Sequence, residues 1–485
     1  MNRQIRRLGI AMAILFLALF VQLNVVQVFR ADSYNDNPNN TRAVTRDFNR
    51  PRGQIVAADG TVLARSEEVP GSQLGRQRVY PEGALFGHVT GYYSFTAGFS
   101  GVEESYNAEL AGRTTPDLAD LDEFLLDRDP TADVTLTIPT EVQRVARDQL
   151  GARRGSVVAI DTRDGAILAL WSFPSYDPTS VSQADQTVAQ EARSLLLTAE
   201  GNPLLARSYR ETFFPGSTFK VVTAAAGLAS GAITTTTPSY PRERGYVPPL
   251  TSRPVGNFGG GTCGGTLIDI MRVSCNTAFA RMAVDMGAPA LVDRAQAFGF
   301  NERPPIDLPA AAASSISAAA TFDRNTPVLA QTGIGQNAVR ATPLQMAMVA
   351  AAIANGGDVM EPHVMAEVVG DDGQVMDRFE PSVWRSATTP EVAATVREAM
   401  VAVVANGTAT RLAVPGVPTA GKTGTAQLGN GLSHAWVIGF APADAPRVAV
   451  AVMVEAQEGA SEQTGGTVAA PIGQAVLAAA LAARP

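Results

Sequence analysis

Residues 8–28, LGIAMAILFLALFVQLNVVQV, form an apolar run directly after Arg3, Arg6 and Arg7. At about 1.5 Å per residue in a helix, a run of this length crosses a hydrocarbon core of roughly 30 Å. It is longer than the core of a usual signal peptide, and no A-x-A-like cleavage site follows it cleanly. It therefore reads as an uncleaved signal anchor, even with Gln22, Asn24 and Gln27 toward its outer end; the alternative is a cleaved signal peptide. The three arginines place residues 1–7 in the cytoplasm by the positive-inside rule, and everything after about Arg30 outside. Outside, a disulfide between Cys263 and Cys275 is permitted; the alternative is two small buried thiols.

The rest of the 485 residues is long enough for two domains with a sizeable core, and 46% of the chain is apolar. Acidic residues outnumber basic ones, 46 to 38, and no basic patch stands out, which argues against a nucleic-acid partner. The three histidines, His88, His363 and His434, and the two cysteines have no zinc-ligand spacing. Neither a metal nor another cofactor is expected. A Ser-His-Asp mechanism has few places to find its base, and no G-x-S-x-G elbow occurs.

After the anchor, a polar juxtamembrane stretch leads to QIVAADGTVLARS, which alternates apolar and polar residues around Asp59-Gly60 and reads as a hairpin. Short strands and turns follow to about Gly112. The acidic stretch TTPDLADLDEFLLDRDPTAD, in which LADLDEFLL reads as a short helix, marks a domain boundary. The expected units are a tail at 1–7, an anchor at 8–28, a small, mostly β domain at 29–132, and a larger domain at 133–485. Within the last, TEVQRVARDQLGA has helical period, and GSVVAIDTRDGAILALWSF reads as two strands about Arg163-Asp164-Gly165. HAWVIGFAP and RVAVAVMVEAQ read as strands, and VAAPIGQAVLAAALAA as a closing helix. The early and late segments then build one antiparallel sheet, with a mostly helical lobe from about Asp177 to Asn406 inserted between them. In that lobe the Ala-rich PAAAASSISAAATF reads as a mobile loop. The fold class is α+β.

Of the 38 basic residues only Lys220 and Lys422 are lysine. Lys220 stands three residues after Ser217 in FFPGSTFKVVTAAAGL, where Pro215-Gly216 suggests a helix start. Residues i and i+3 share a helix face, so Ser217 and Lys220 can meet. Serine needs an adjacent base to act as a nucleophile. A buried lysine with a cation nearby can be that base, and arginine cannot. The bland alternative is a helix cap at Ser217.

Lys422 lies in TAGKTGTAQ, a small-residue stretch that reads as a strand. Lys422, Thr423 and Thr425 there can hold a carboxylate, with Gly424 allowing close approach, and Lys422 supplies the cation beside Lys220. GVPTAGKT also matches the P-loop pattern, but three glycines and a strand follow it in place of a helix, and ATP is scarce outside the cell. Between the lysines, Ser274-Cys275-Asn276 opens a helical run; Ser274 can relay a proton and Asn276 can bind a substrate amide, or the pair simply caps the helix.

The order S-x-x-K, S-x-N, K-T-G is the signature of active-site serine penicillin-binding proteins and class A β-lactamases. Beyond it the chain resembles class B penicillin-binding proteins over nearly its whole length, most nearly the actinobacterial penicillin-binding protein A group. PRGQIVAADGTVLA is similar to the family's R-G-x-I…G-x-x-L-A segment through Arg52, Gly53, Ile55, Gly60, Leu63 and Ala64, although Ala57-Ala58 replaces the usual acidic-basic pair. GIGQNAVRATPLQMAMVAAAIANGG and HAWVIGFAP also resemble family segments.

The resemblance implies a transpeptidase fold, a five-stranded antiparallel sheet flanked by helices. It implies a peptidoglycan D,D-transpeptidase that uses no cofactor and serves growth or division. Ser217 would attack the penultimate D-Ala carbonyl of a stem peptide ending in D-Ala-D-Ala, and Lys220 would take its proton. The N–H groups of Ser217 and Thr425 would form the oxyanion hole. Ser274 would pass the proton to the departing D-Ala, Asn276 would orient the acyl chain, and Lys422, Thr423 and Thr425 would hold the carboxylate. β-Lactams would trap Ser217. The resemblance alone implies a SEDS-family glycosyltransferase as partner; since no glycosyltransferase domain is apparent, strand polymerisation must be supplied by another protein. A D,D-carboxypeptidase, a β-lactamase and a β-lactam sensor or scaffold without turnover are the competing functions; the anchor and the R-G-x-I segment argue against the β-lactamase.

Overall fold

The structure is a computed structural model that describes residues 2–26, 45, 48–72, 74–112, 131–428, 431–456 and 464–483. Helix α1, Asn2–Asn24, covers most of the expected anchor, and its described side chains are almost all exposed. It is long and apolar enough to cross a membrane. The end of the expected span beyond residue 26, and the short helix expected within the acidic stretch, lie outside the described residues.

The Asp59-Gly60 hairpin forms as expected. Strands β1, Ile55–Val56, and β2, Val62–Glu68, pair antiparallel about Gly60, whose φ of 82° suits the turn. The same segment shows why R-G-x-I carries those residues. The Arg52 guanidinium is buried, with Nε donating to Glu103 Oε2 at 2.7 Å and Nη1 to Asn107 Oδ1 at 2.9 Å. Arg78 Nε donates to the other Glu103 oxygen at 2.7 Å, and Tyr80 Oη donates to it at 3.2 Å. Burial alone would raise the Glu103 carboxyl, but Arg78 and Arg52 outweigh it and hold its pKa below the usual range. Gly53 must lack a side chain, because a Cβ there would sit 1.9 Å from Ala132 O. Ile55, Leu63 and Ala64 fill the core beneath.

That contact belongs to a six-stranded sheet that crosses the boundary expected at residue 132. After β3, Arg76–Val79, the chain adds β4, Ala132–Leu136, which runs parallel to β1. Later residues add β7, Met365–Gly370, and β8, Val375–Arg378, giving the order β8-β7-β4-β1-β2-β3. Tyr106 donates to Asp307 Oδ2 at 2.7 Å and ties the early region to the later one a second time.

The second sheet is the expected one. Strands β5, Gly155–Asp161, and β6, Ile167–Phe173, flank the Arg163-Asp164-Gly165 turn. Strands β9, Ala420–Leu428, β10, Leu432–Ala441, and β11, Val448–Val454, come from the far end of the chain. The order is β9-β10-β11-β5-β6, antiparallel throughout. All seven residues of β5 and of β11 are buried, as central strands covered on both faces require.

Helices cover the two faces. Helix α2, Thr140–Leu150, packs with the C-terminal helix α7, Ala470–Ala483, against the sheet, and α5, Pro343–Ala354, packs against β11, β5 and β10. α5 is apolar all round and wholly buried, with Thr342 Oγ1 accepting from Gln345 N at 3.0 Å as its N-cap. The inserted lobe holds α3, Lys220–Ala229, α4, Asn276–Ala297, and α6, Pro390–Asn406. α3 packs on α4, and α6 packs on β9 and α3.

The Ala-rich stretch at residues 309–322 departs from the expected mobile loop. Ile316 and Phe322 are buried, Ser315–Ile316 pairs with Val339–Arg340, and Asn301 bonds both the N–H and the carbonyl of Ile316. Small side chains let this segment lie close against the lobe, where their compositional bias had suggested looseness.

Candidate active site

The helix expected at Ser217 begins as a 3-10 turn, Gly216–Phe219, and becomes α-helical only at Lys220. Thr218 Oγ1 donates to Pro215 O at 2.7 Å and tightens the turn. Ser217 is half-buried at the floor of a cleft of about 1210 Å³, while Lys220 is fully buried at the start of the apolar α3.

The S-x-N segment follows the six-residue helix Leu267–Arg272. Ser274 N donates to Met271 O at 3.1 Å and Cys275 N to Ile270 O at 2.8 Å, the paired bonds of a Schellman helix end. Glycine normally occupies the left-handed position of that motif. Here Ser274 holds it, with φ of 59°. A non-glycine residue there costs about 1–2 kcal/mol, so a hydroxyl is being kept at a strained position. Asn276 then opens α4.

Lys220 Nζ donates to Ser274 O at 2.8 Å, to Ser274 Oγ at 3.2 Å and to Asn276 Oδ1 at 2.7 Å. Among the described residues it makes no hydrogen bond to Ser217. Lys422 Nζ donates to the same Ser274 Oγ at 2.8 Å and to Thr423 O at 2.9 Å. Asn276 Nδ2 donates to Gly256 O at 3.0 Å, which fixes its amide and leaves one N–H free for another acceptor.

Burial pushes the Lys220 amine well below its ordinary pKa, and the Lys422 charge lowers it further. Burial brings Lys422 to about 7. Lys422 is thus poised to lose a proton near neutrality, and Lys220 gives up its proton far more readily than an ordinary lysine, which is what a base adjacent to a serine needs.

Lys422 lies in β9, the edge strand, which has no further strand on its outer side. Thr423, Thr425 and Gln427 share the face that lines the cleft. Gly424 does allow a close approach, but by the chain itself: a Cβ there would lie 2.9 Å from Pro215 O, just before Ser217. The P-loop reading fails here, because Gly421-Lys422-Thr423 are strand residues and no helix follows them.

Cys263 and Cys275 form a disulfide, with Cα atoms 5.8 Å apart. It fastens a segment that lines the cleft, around Cys263, to the S-x-N turn. None of the three histidines lines the cleft. Two contributors escaped the sequence patterns. Thr408 Oγ1 lies 2.6 Å from Thr423 Oγ1, and Asn257 Oδ1 accepts from Thr277 N at 3.0 Å in the first turn of α4. Neither sits in a recognisable motif; the only signal was Thr408's place in the polar NGTAT that follows α6.

A serine, two depressed lysines and a bridging hydroxyl at the edge of a five-stranded sheet define a serine acyl-transfer fold. Residues 155–478 match the penicillin binding protein transpeptidase domain, and residues 52–132 match the penicillin binding protein A dimerisation domain. The chain belongs to the penicillin-binding protein transpeptidase family. It is 39% identical to the peptidoglycan D,D-transpeptidase PbpA of Mycolicibacterium smegmatis over 99% of both chains, and 37% identical to PbpA of Mycobacterium tuberculosis over 100% of both. The structure matches penicillin-binding protein A from M. tuberculosis in its ceftriaxone acyl-enzyme complex with a TM-score of 0.82. That match is at 37% identity, over 90% of this chain and 100% of the other. The likeness to the penicillin-binding protein A group is therefore met.

Proposed function

We propose that this protein is a peptidoglycan D,D-transpeptidase and a β-lactam target, working through an acyl-enzyme on Ser217. The observation that carries this is the single Ser274 hydroxyl shared by two buried lysines behind Ser217. The full-length likeness to proteins named peptidoglycan D,D-transpeptidases supports it.

In the first step Ser217 Oγ bonds to the carbonyl carbon of the penultimate D-Ala, and its proton passes to neutral Lys220. Lys220 keeps two N–H bonds, to Ser274 O and Asn276 Oδ1, and has a lone pair for the incoming proton. The N–H groups of Ser217 and Thr425 hold the developing oxyanion. The C–N bond then breaks, and the proton reaches the leaving D-Ala amine by way of Ser274. Lys422, Thr423 and Thr425 hold the terminal carboxylate, and Asn276 offers its free N–H to the acyl chain. An amine of a neighbouring stem peptide then attacks the ester, forms the cross-link and returns a proton to Ser217.

The remaining assignments rest on the sequence and on the resemblance. Residues 8–28 are a single-pass anchor, the arginines keep residues 1–7 cytoplasmic, and the catalytic region of 133–485 lies outside. Residues 29–132 form a non-catalytic pedestal. A SEDS-family glycosyltransferase supplies the polymerised strands.

The test is to treat detergent-solubilised protein with a fluorescent penicillin and map the label by peptide mass spectrometry, with Lys220→Arg alongside. Label on Ser217 that falls by about 100-fold or more in the variant is expected from loss of the base. A folded wild-type protein that takes no label on Ser217 would sink the proposal. Supplying an amine acceptor then separates cross-linking from hydrolysis.

A further inference from the structure

Thr408 stands two residues beyond the end of α6, at the rim of the cleft, and its Oγ1 lies 2.6 Å from Thr423 Oγ1. Thr408 is exposed, whereas Thr423 is buried, with 6% of its surface accessible. Two hydroxyls at that distance share one hydrogen between them, so one donates and the other accepts. If Thr423 donates to Thr408, it offers only lone pairs to the cleft and repels an anion. If Thr408 donates, the Thr423 hydrogen is free to point into the cleft. A carboxylate can only accept. The exposed Thr408 can satisfy its remaining lone pairs with water.

We propose that Thr408 is a positioning residue. It donates to Thr423 and so sets the polarity with which Thr423 binds the terminal carboxylate of the acyl donor. Thr408 itself touches no substrate. The inference rests on the reading of Thr423 and Thr425 as the carboxylate site.

The experiment measures second-order acylation rates of the full-length protein in detergent with benzylpenicillin and with its methyl ester, which lacks the anion. Thr408→Val, which keeps shape and removes the hydroxyl, should slow the acid roughly fivefold or more, the worth of a lost hydrogen bond to an anion-binding group. It should leave the ester rate unchanged. Thr408→Ser should restore the acid rate to within about twofold of wild type, as the retained hydroxyl requires. Equal slowing of acid and ester would mark Thr408 as merely structural and overturn the inference. So would a Val variant as fast as wild type on the acid. A wild-type protein that does not discriminate acid from ester overturns the carboxylate reading itself, and this inference with it.

Discussion

Lys220 and Lys422 converge on one oxygen: their Nζ atoms lie 3.2 and 2.8 Å from Ser274 Oγ. Two ammonium groups cannot both remain charged at that spacing in a buried site without large cost, so the pair titrates as a unit.

The first prediction concerns that coupling. Lys422 lowers the Lys220 pKa, so Lys422→Gln should raise it. The acid limb of the acylation rate marks the pH at which Lys220 becomes neutral. It should move to higher pH in the variant, whatever happens to the overall rate. A pH profile of penicillin acylation from pH 5 to 10 checks it, and an unmoved limb counts against Lys220 as the base. Stability carries the same sign. Lys422 titrates near 7 when folded against an ordinary 10.5, so the unfolded chain binds more protons between those values. Wild-type stability should rise with pH across that window, and Lys422→Gln should flatten the rise.

Ser274 offers a second test, because its conformation and its hydroxyl can be separated. Glycine relieves the left-handed strain at φ 59° and alanine does not. Ser274→Gly should be about 1 kcal/mol more stable than Ser274→Ala. Both should acylate at similarly reduced rates, since both lose the oxygen that bridges the lysines. Chemical denaturation and stopped-flow acylation together decide it. A fast Gly variant would mean that backbone shape, and not the hydroxyl, is what the site needs.

Gly424 supplies a third. A Cβ placed 2.9 Å from Pro215 O pushes the serine turn away from β9. Gly424→Ala should reduce acylation at least about tenfold through misplacement alone, while the far sheet remains folded. Rates near wild type would show that the turn can give without loss of geometry.

The fourth lies far from the cleft. Glu103 is fully buried between Arg52 and Arg78. Removing its charge leaves two buried guanidiniums unmatched, and Glu103→Gln should cost about 3–5 kcal/mol. Because the Glu103 pKa is depressed in the fold, its contribution is present above the ordinary 4.5 and disappears as pH falls through the folded value. The gap between wild type and variant should therefore narrow in acid, as thermal melts at pH 7 and pH 4 would register. An equal gap at both would point to packing and not to charge.

The catalytic half was legible because its signals are local. β5 and β6 are continuous apolar runs about an Asp-Gly turn, and the two lysines stand out against a chain that otherwise uses arginine. What escaped was non-local. Nothing in ADVTL says that β4 will run beside β1 and β7, because pairing partners are not written in a strand's own residues. Thr408 acts through a hydroxyl contact with a residue fifteen positions away, and threonine after a helix has no pattern of its own. The Ala-rich segment misled because small side chains signal looseness by composition, yet they are also what close packing requires.

The central sheet also sets an order of events. β5 pairs with β11, Val157 opposite Val452, so the sheet whose edge carries K-T-G is closed by strands from opposite ends of residues 133–485. Such distant pairing is slow to nucleate, because a very long loop must close first. A chain delivered N-terminus first carries the β5–β6 hairpin for most of its synthesis with its β11 edge unpaired. A nascent protein released before residue 420 lacks three of the five strands and should take no penicillin label. Activity is thereby withheld until nearly the whole polypeptide has emerged, so that incomplete copies cannot occupy either substrate or drug.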